Sequence, residues 1–275
     1  MAWRETQLGK VVFMEKIINE VVGGRYVVCE MLGKGGFSFV YRVKDMQTGM
    51  EYAMKNYFSS NPADQGKLLE GLERELNVLK NTSHPNLPKI YDLIKENDSF
   101  FLIMEIVKGE NLKSIVDRKG PLKKKEIKHV MKQVCSGLYY LHSLEPPIVY
   151  RDLKPSNIVM DESGVVKLVD FGIAKRYSKE IELSERAFGS KGFAAPEQFG
   201  DKKGFSIYNT DTRTDVYGIG TTLYYLKTGK VFVEGVGSVK LGHKLKRIIK
   251  KCIKRNPNDR YQSVIEVLIR LETLA

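Results

Sequence analysis

The segment Ile148-Val149-Tyr150-Arg151-Asp152-Leu153-Lys154-Pro155-Ser156-Asn157-Ile158-Val159 crowds four polar groups into a short loop bracketed by apolar residues. Asp152 can accept a hydroxyl proton, Lys154 can neutralise a phosphoryl group in transit, and Asn157 can ligate Mg2+. Thirteen residues after Asn157, Val169-Asp170-Phe171-Gly172 presents a second carboxylate at the end of a strand. Asn157 and Asp170 together make an oxygen-rich metal site of the kind Mg2+ prefers, completed by phosphates and water. Any one of these pieces could be an ordinary turn. Their order and spacing point to metal-assisted phosphoryl transfer.

Two upstream features fit the same chemistry. Gly33-Lys34-Gly35-Gly36-Phe37-Ser38-Phe39-Val40 lies between two strands. Glycines there let backbone N–H groups approach phosphate oxygens. Alone they would equally suit a tight β-hairpin. The flanking strands argue against a dinucleotide fingerprint or a Walker loop, both of which open directly onto a helix. Lys55 ends the strand Tyr52-Ala53-Met54-Lys55. A lysine facing a closed lobe must be paired, and Glu75 on the following helix can do so, leaving the ammonium to hold phosphates. The alternative is a lysine pointing to solvent from an edge strand.

The elements that must position these residues fall into two groups. Strands are expected at Tyr26 to Leu32, Phe39 to Val43, Tyr52 to Tyr57 and Phe100 to Val107, with a single helix over Lys67 to Lys80 carrying Leu68, Leu69, Leu72, Leu76 and Leu79 at helical spacing. After Gly109 the pattern becomes helical. A stripe of Ile127, Val130, Met131, Val134, Leu138 and Leu141 ends near Pro146-Pro147. Thr214 to Lys227, Lys244 to Arg255 and Gln262 to Leu274 read as further helices. A β-rich lobe followed by an α-rich lobe is an α+β arrangement, with a ligand expected between the lobes.

The glycine loop, the strand lysine, Tyr150-Arg151-Asp152, Asp170-Phe171-Gly172 and Ala195-Pro196-Glu197 together resemble the eukaryotic-type (Hanks-type) serine/threonine protein kinases, in particular their bacterial members, over about Tyr26 to Leu274. The resemblance implies a two-lobed kinase fold, with an antiparallel N-lobe carrying one main helix and a mostly helical C-lobe. It divides the chain into an extension at 1–23, an N-lobe at 24–106 and a C-lobe at 107–275. It also implies ATP as cosubstrate, with Mg2+ or Mn2+.

By that resemblance Asp152 is the catalytic base, Lys154, Asn157 and Asp170 take phosphate and metal roles, and Lys55 holds phosphates while paired to Glu75. Glu75 is preferred to Glu73 for its distance from His84-Pro85-Asn86. Gly33, Gly35, Ser38, Val40 and Ala53 would cover the nucleotide, with Met104 as gatekeeper, Glu105 to Val107 as the adenine-binding hinge and Glu110 near the ribose. Glu197 would pair with Arg260, and Asp215 would brace the catalytic loop. Ser178, Ser184 and Ser190 lie in the activation loop. Ser184 is the expected phosphosite, Ser178 the fallback, and Ser190 a free hydroxyl beside Asp152.

Three positions depart from the family pattern. Ser38 replaces the third glycine of the loop. Tyr150 replaces the usual histidine, at a position expected to pack and do no chemistry. The stretch between Glu197 and Asp215 is longer than usual, so peptide specificity does not carry over. A pseudokinase scaffold is the competing reading, but such proteins typically lose the strand lysine, the catalytic aspartate or the metal aspartate, and all three residues are present. Small-molecule kinases of related fold usually lack Ala-Pro-Glu and its arginine partner.

Composition sets the remaining bounds. The chain has 275 residues, 42% hydrophobic and 28% charged, as a folded globular protein requires. No apolar run approaches the ~18–20 residues that cross a bilayer, and Val11 to Val22 is too interrupted for a secretory signal. The three cysteines, Cys29, Cys135 and Cys252, have no paired spacing, which excludes a disulfide framework and suits a reducing compartment. A cytoplasmic location is expected, or the intracellular part of a membrane protein if a segment follows Ala275. The net charge of +12 favours anionic partners. Its excess gathers on a basic face around Leu245, Ile248, Ile249 and Cys252, read as a solvated helix surface. Protein substrates with Ser/Thr acceptors are expected, with a transient homodimer for trans-autophosphorylation and no nucleic acid. His84, His129, His142 and His243 show no metal spacing.

Overall fold

The computed structural model describes residues 17–34, 38–57, 76–77, 79–96, 99–170, 192–198, 210–234 and 241–274. The chain forms two compact units. One comprises the residues up to Thr82 with Lys89–Ile106, the other Ser83–Pro88 with the residues from Val107 onward.

The first unit is built on a six-stranded antiparallel sheet of β1 (Val21–Val22), β2 (Tyr26–Lys34), β3 (Ser38–Asp45), β4 (Glu51–Tyr57), β5 (Ile90–Glu96) and β6 (Ser99–Met104), in the order β1-β2-β3-β4-β6-β5. Alternation sorts its residues. Phe39, Tyr41 and Val43 on β3, Tyr52 and Met54 on β4, and Phe101 and Ile103 on β6 share one face and form the core with Ile17, Val22, Tyr26 and Val28. Val40, Ala53, Lys55, Leu102 and Met104 occupy the opposite face, where Lys55 lies between Val40 and Leu102, and Ala53 opposite Met104. A one-residue slip of β4 would turn Lys55 into the core and Met54 out of it, so burial fixes the register.

Part of the expected N-terminal extension belongs to this sheet: Val21–Val22 pair with Tyr26 and Val27. Gly23 and Gly24 both have positive φ, +61° and +63°, which permits the tight turn in which Arg25 N donates to Val22 O at 3.2 Å. The strand expected to reach Val107 leaves the ladder after Met104. One further bond, Glu105 N to Lys89 O at 2.8 Å, follows before the chain passes to the other unit. Of the helix expected over Lys67 to Lys80, only 76–77 and 79–80 are described; they are helical, and Leu76 and Leu79 are fully buried.

The second unit contains a small sheet, β7 (Glu110–Asn111), β8 (Ile158–Met160) and β9 (Val166–Leu168), and five helices among the described residues. Helix α1 (Leu112–Lys119) starts where the Asn111 side chain accepts from Ser114 N at 2.9 Å. Helix α2 (Lys124–His142) buries the expected stripe from Ile127 to Leu141. Helix α3 (Thr212–Thr228) is buried nearly all round, the mark of a central helix. It approaches the catalytic loop closely, since a Cβ at Gly218 would lie 2.9 Å from Leu153 Cβ. Helices α4 (His243–Cys252) and α5 (Val264–Glu272) each turn one apolar stripe inward, with Leu245, Ile248, Ile249 and Cys252 buried on α4.

Candidate active site

Asp215, in the first turn of α3, organises the catalytic loop. Its Oδ1 accepts from Arg151 N and its Oδ2 from Tyr150 N, both at 2.8 Å, while His142 Nε2 at the end of α2 lies 2.8 Å from Oδ2. The residue is 1% exposed, and a helix N-terminus favours its negative charge. Two adjacent backbone N–H groups converge on this one carboxylate, and Arg151, which donates one of them, adopts φ 65°. Such a conformation costs roughly 1–3 kcal/mol for a residue with a side chain, and the charge-assisted bonds to Asp215 offset it. The brace anticipated from the sequence is therefore present. His142, for which the sequence showed only a lack of metal spacing, is part of it.

Asp152 is 7% exposed, with Lys154 Nζ 3.0 Å and Asn157 Nδ2 2.9 Å from its Oδ2. Asn157 Nδ2 also donates to Asp152 O at 3.0 Å. With its amide nitrogen committed to Asp152, Asn157 turns Oδ1 the other way, where that atom takes only a long 3.4 Å contact from Ser156 Oγ. It is a hard oxygen donor available to a cation.

Asp170 is brought alongside by the β8–β9 ladder. Ile158 pairs with Leu168, and Val169 N donates to Asn157 O at 2.9 Å, so Asp170 follows at once with φ 66°. Tyr150 ties the two segments together. Its ring is fully buried and its hydroxyl donates to Val169 O, with Asn157 O at 3.4 Å. Burial first, and then the charges of Asp170, Asp152 and Asp215, push this phenol well above its ordinary value. Three carboxylates thus lie within electrostatic reach of one hydroxyl. Tyr150 was expected only to pack; its hydroxyl bridges the catalytic loop and the strand end before Asp170.

The segment Ala195-Pro196-Glu197 is anchored from below. Arg260 is 1% exposed and meets Glu197 through two parallel contacts, Nη1 to Oε1 at 2.6 Å and Nη2 to Oε2 at 2.7 Å. Gln198, which sequence reasoning passed over, joins this segment to the catalytic loop. Its Nε2 donates to Arg151 O at 2.8 Å and its Oε1 accepts from Ala195 N at 2.9 Å. No local pattern marks such a residue, because its partners are distant in sequence. The Arg151 guanidinium donates to Thr210 Oγ1 at 3.1 Å and to Val149 O at 3.2 Å.

In the first unit Lys55 is 3% exposed, on the same sheet face as Val40 and Ala53, and Gly33 stands opposite Val40 in β2. Ser38 opens β3, and Met104 closes β6. Glu105 accepts from Lys89 N at 3.0 Å through its side chain, while Val107 falls in the second unit. Glu110, expected near a ribose, is clasped by Arg118, whose hydrogen bonds hold its carboxyl below the usual range. Gly35, Glu75, Ser178, Ser184 and Ser190 lie outside the described residues.

Residues 26–269 match the family model described as a protein kinase domain. The chain belongs to the protein kinase family. This kinase domain is 29% identical over 277 residues to serine/threonine-protein kinase PrkC of Bacillus subtilis, a match covering 94% of this chain and 41% of PrkC. It is 30% identical over 227 residues to serine/threonine-protein kinase ATG1a of Arabidopsis thaliana, covering 82% of this chain and 34% of that protein. The kinase domain therefore spans well under half the length of these relatives. Among solved structures, the kinase domain of Mycobacterium tuberculosis PknI superposes with a TM-score of 0.72 at 22% identity, covering 93% of this chain and 97% of that one. Rad53, in a crystal structure with AMP-PNP, gives 0.69 at 22% identity, covering 89% and 64%. At that identity these likenesses speak for the fold alone, a β-sheet lobe and a helical lobe.

Proposed function

We propose that this kinase domain transfers the γ-phosphoryl group of ATP to serine and threonine hydroxyls of proteins, with Asp152 as the general base. The observation that carries the reading is the Asp152–Lys154–Asn157 cluster, with Asn157 Oδ1 turned away from Asp152 and Asp170 joined to it through the β8–β9 ladder. The donors are hard oxygens, which fits Mg2+, with Mn2+ as a substitute. Asn157 and Asp170 would hold the metal, and Lys55, with Glu75, would hold the nucleotide phosphates beneath Gly33, Gly35, Ser38, Val40 and Ala53. Metal-bound ATP, when present, supplies the phosphoryl group and offsets the charge that spreads over its oxygens.

The chain's own residues do the rest. The Asp152 carboxylate orients the acceptor hydroxyl and takes its proton on a carboxylate oxygen. Asn157 and Lys154 fix that carboxylate, and Lys154 keeps a positive charge beside the acceptor. Asp215 holds the loop backbone so that Asp152 does not drift, and misplacement by about 1 Å is enough to slow a positioned reaction some hundredfold. Lys154 also supports serine/threonine over tyrosine acceptors, by the family resemblance. Arg151 next to Asp152 supports control by a phosphorylated activation loop, with Ser184 as the site, Ser178 as the fallback, and phosphorylation in trans through a transient homodimer.

Radiolabelled ATP with a generic basic protein tests the proposal. The parent should label the substrate and itself with Mg2+ and lose both activities in excess EDTA. Asp152→Asn should lower kcat far more than it raises the KM for ATP. Mass spectrometry of the active parent, with Asp152→Asn as the unphosphorylated control, should find phosphate on Ser184. Undiminished turnover in Asp152→Asn would remove that residue from the role of base.

A further inference from the structure

The chain reverses within a single residue just before Asp152. Asp152 N donates to Tyr150 O at 2.9 Å across Arg151, whose φ is 65°. A one-residue turn of positive φ is strained for any residue with a side chain, and it persists only where the surroundings hold it. The Asp152 carboxylate leaves the chain one residue further on. Whatever holds Arg151 therefore also sets where that carboxylate lies.

The backbone of Arg151 is held on both sides. Its N donates to Asp215 Oδ1 at 2.8 Å, and its O accepts from Gln198 Nε2 at 2.8 Å. The side chain is held as well. Nη1 donates to Val149 O at 3.2 Å, within the loop itself, and Nε donates to Thr210 Oγ1 at 3.1 Å, a partner 59 residues away. A guanidinium only 6% exposed needs acceptors in fixed places, and a hydroxyl accepts such a bond while staying neutral.

Thr210 is placed to hold a direction. It is half-buried and directly precedes Asp211, the N-cap of α3. Asp211 Oδ1 accepts from Arg213 N at 2.8 Å, and its O from Thr214 N at 2.9 Å. The start of α3 thus grips Arg151 twice, at the backbone through Asp215 and at the guanidinium through Thr210. Thr210 falls in the long stretch between Glu197 and Asp215 to which sequence reasoning assigned no role.

We propose that Thr210 is a positioning residue for phosphoryl transfer: its hydroxyl fixes the Arg151 side chain, and through it the turn that aims the Asp152 carboxylate. The catalytic consequence rests on the reading of Asp152 as general base; the contact itself does not.

Thr210→Val keeps the branched shape and removes the acceptor, and two measurements separate the contact from its consequence. Hydrogen–deuterium exchange reports on the amides of Tyr150, Arg151 and Asp152 whether or not the chain transfers phosphate. Their exchange should quicken roughly tenfold in Thr210→Val and stay at the parent rate in Thr210→Ser. In the ATP assay Thr210→Val should lower kcat about tenfold, with the KM for ATP within about twofold, since the nucleotide-holding residues are untouched. Thr210→Ser should restore kcat. In an Arg151→Met background Thr210→Val should change kcat and exchange by less than about twofold, because the arginine through which the hydroxyl acts is already gone. Unchanged exchange in Thr210→Val would overturn the proposal, and so would faster exchange with an unchanged kcat. An undiminished effect in the Arg151→Met background would also overturn it, making Thr210 a structural part of the α3 start. A parent without transfer activity whose loop exchange still responds to Thr210→Val would sink the phosphoryl-transfer reading and support the contact.

Discussion

Replacing Arg260 by methionine isolates one buried charge whose surroundings are fully specified. The guanidinium makes two bonds to Glu197 and donates to Lys254 O at 2.8 Å, Arg213 O at 2.9 Å and Arg255 O at 3.0 Å, with the Tyr217 ring 5.0 Å from its centre. Methionine keeps most of the volume and none of the donors. Glu197, 4% exposed, would then retain Thr214 Oγ1 at 3.0 Å as its remaining donor here. Removing one partner of a buried ion pair costs about 3–5 kcal/mol, a large share of the roughly 5–15 kcal/mol of a typical domain. With a urea dependence of ~2–3 kcal/mol per molar, the midpoint should fall by about 1–2.5 M. The helical far-ultraviolet signal is the appropriate probe, because every fully described helix belongs to the second unit. Adding Glu197→Gln removes the stranded charge and should recover half or more of the loss. A loss below about 1 kcal/mol, the range of exposed pairs, or no recovery in the double variant, would refute the view that this pair is a desolvated, mutually dependent unit.

Asp45 should govern acid stability in the first unit. The hydrogen bonds from Arg25, at 3.0 and 2.6 Å, hold its carboxyl well below the usual range against the opposing effect of burial. A depressed folded value contributes stability above the unfolded pKa of about 4 that is lost as pH falls below it. Asp45→Asn should therefore flatten the loss of stability between about pH 5 and pH 2, and an unchanged profile would remove Asp45 as its source. Cysteine labelling reads burial directly. Burial pushes the Cys135 thiol up to about 12 and raises Cys252 as well, whereas Cys29 is partly exposed. A disulfide reagent at pH 8 should modify one thiol in the folded chain and three after unfolding; two rapid thiols would contradict the packing of α2 and α4 on α3.

The parts of the site that carry charge in transit were legible because they sit close together in the chain. Asp152, Lys154 and Asn157 share one loop, and Asp170 follows after a single hairpin. What positions them was harder to see. His142 and Asp215 meet across 73 residues, and Gln198 and Arg151 across 47, separations at which local pattern carries no information. Asp215 was anticipated only through the family resemblance. Long amphipathic helices announced themselves: α2 and α3 fall within a few residues of their expected positions. The three-residue strands β8 and β9, which align Asp170 with Asn157, are too short to show a period. Tyr150 was expected from the family pattern to pack, and it does; only the fold reveals the carbonyl at the tip of its ring.

That hydroxyl would also oppose a change of conformation around Asp170. A rearrangement that rotates the Val169 peptide away separates a fully buried phenol from its carbonyl acceptor. Asn157 O, 3.4 Å away, remains near the hydroxyl, so losing the Val169 bond costs up to about 1–3 kcal/mol. An inhibitor that requires the rearranged state would bind with its apparent affinity reduced in proportion to that state's population, by at most roughly two hundredfold. Tyr150→Phe removes the phenol from this balance, so the ratio of inhibitor affinities between the two forms would report how firmly the resting arrangement is held.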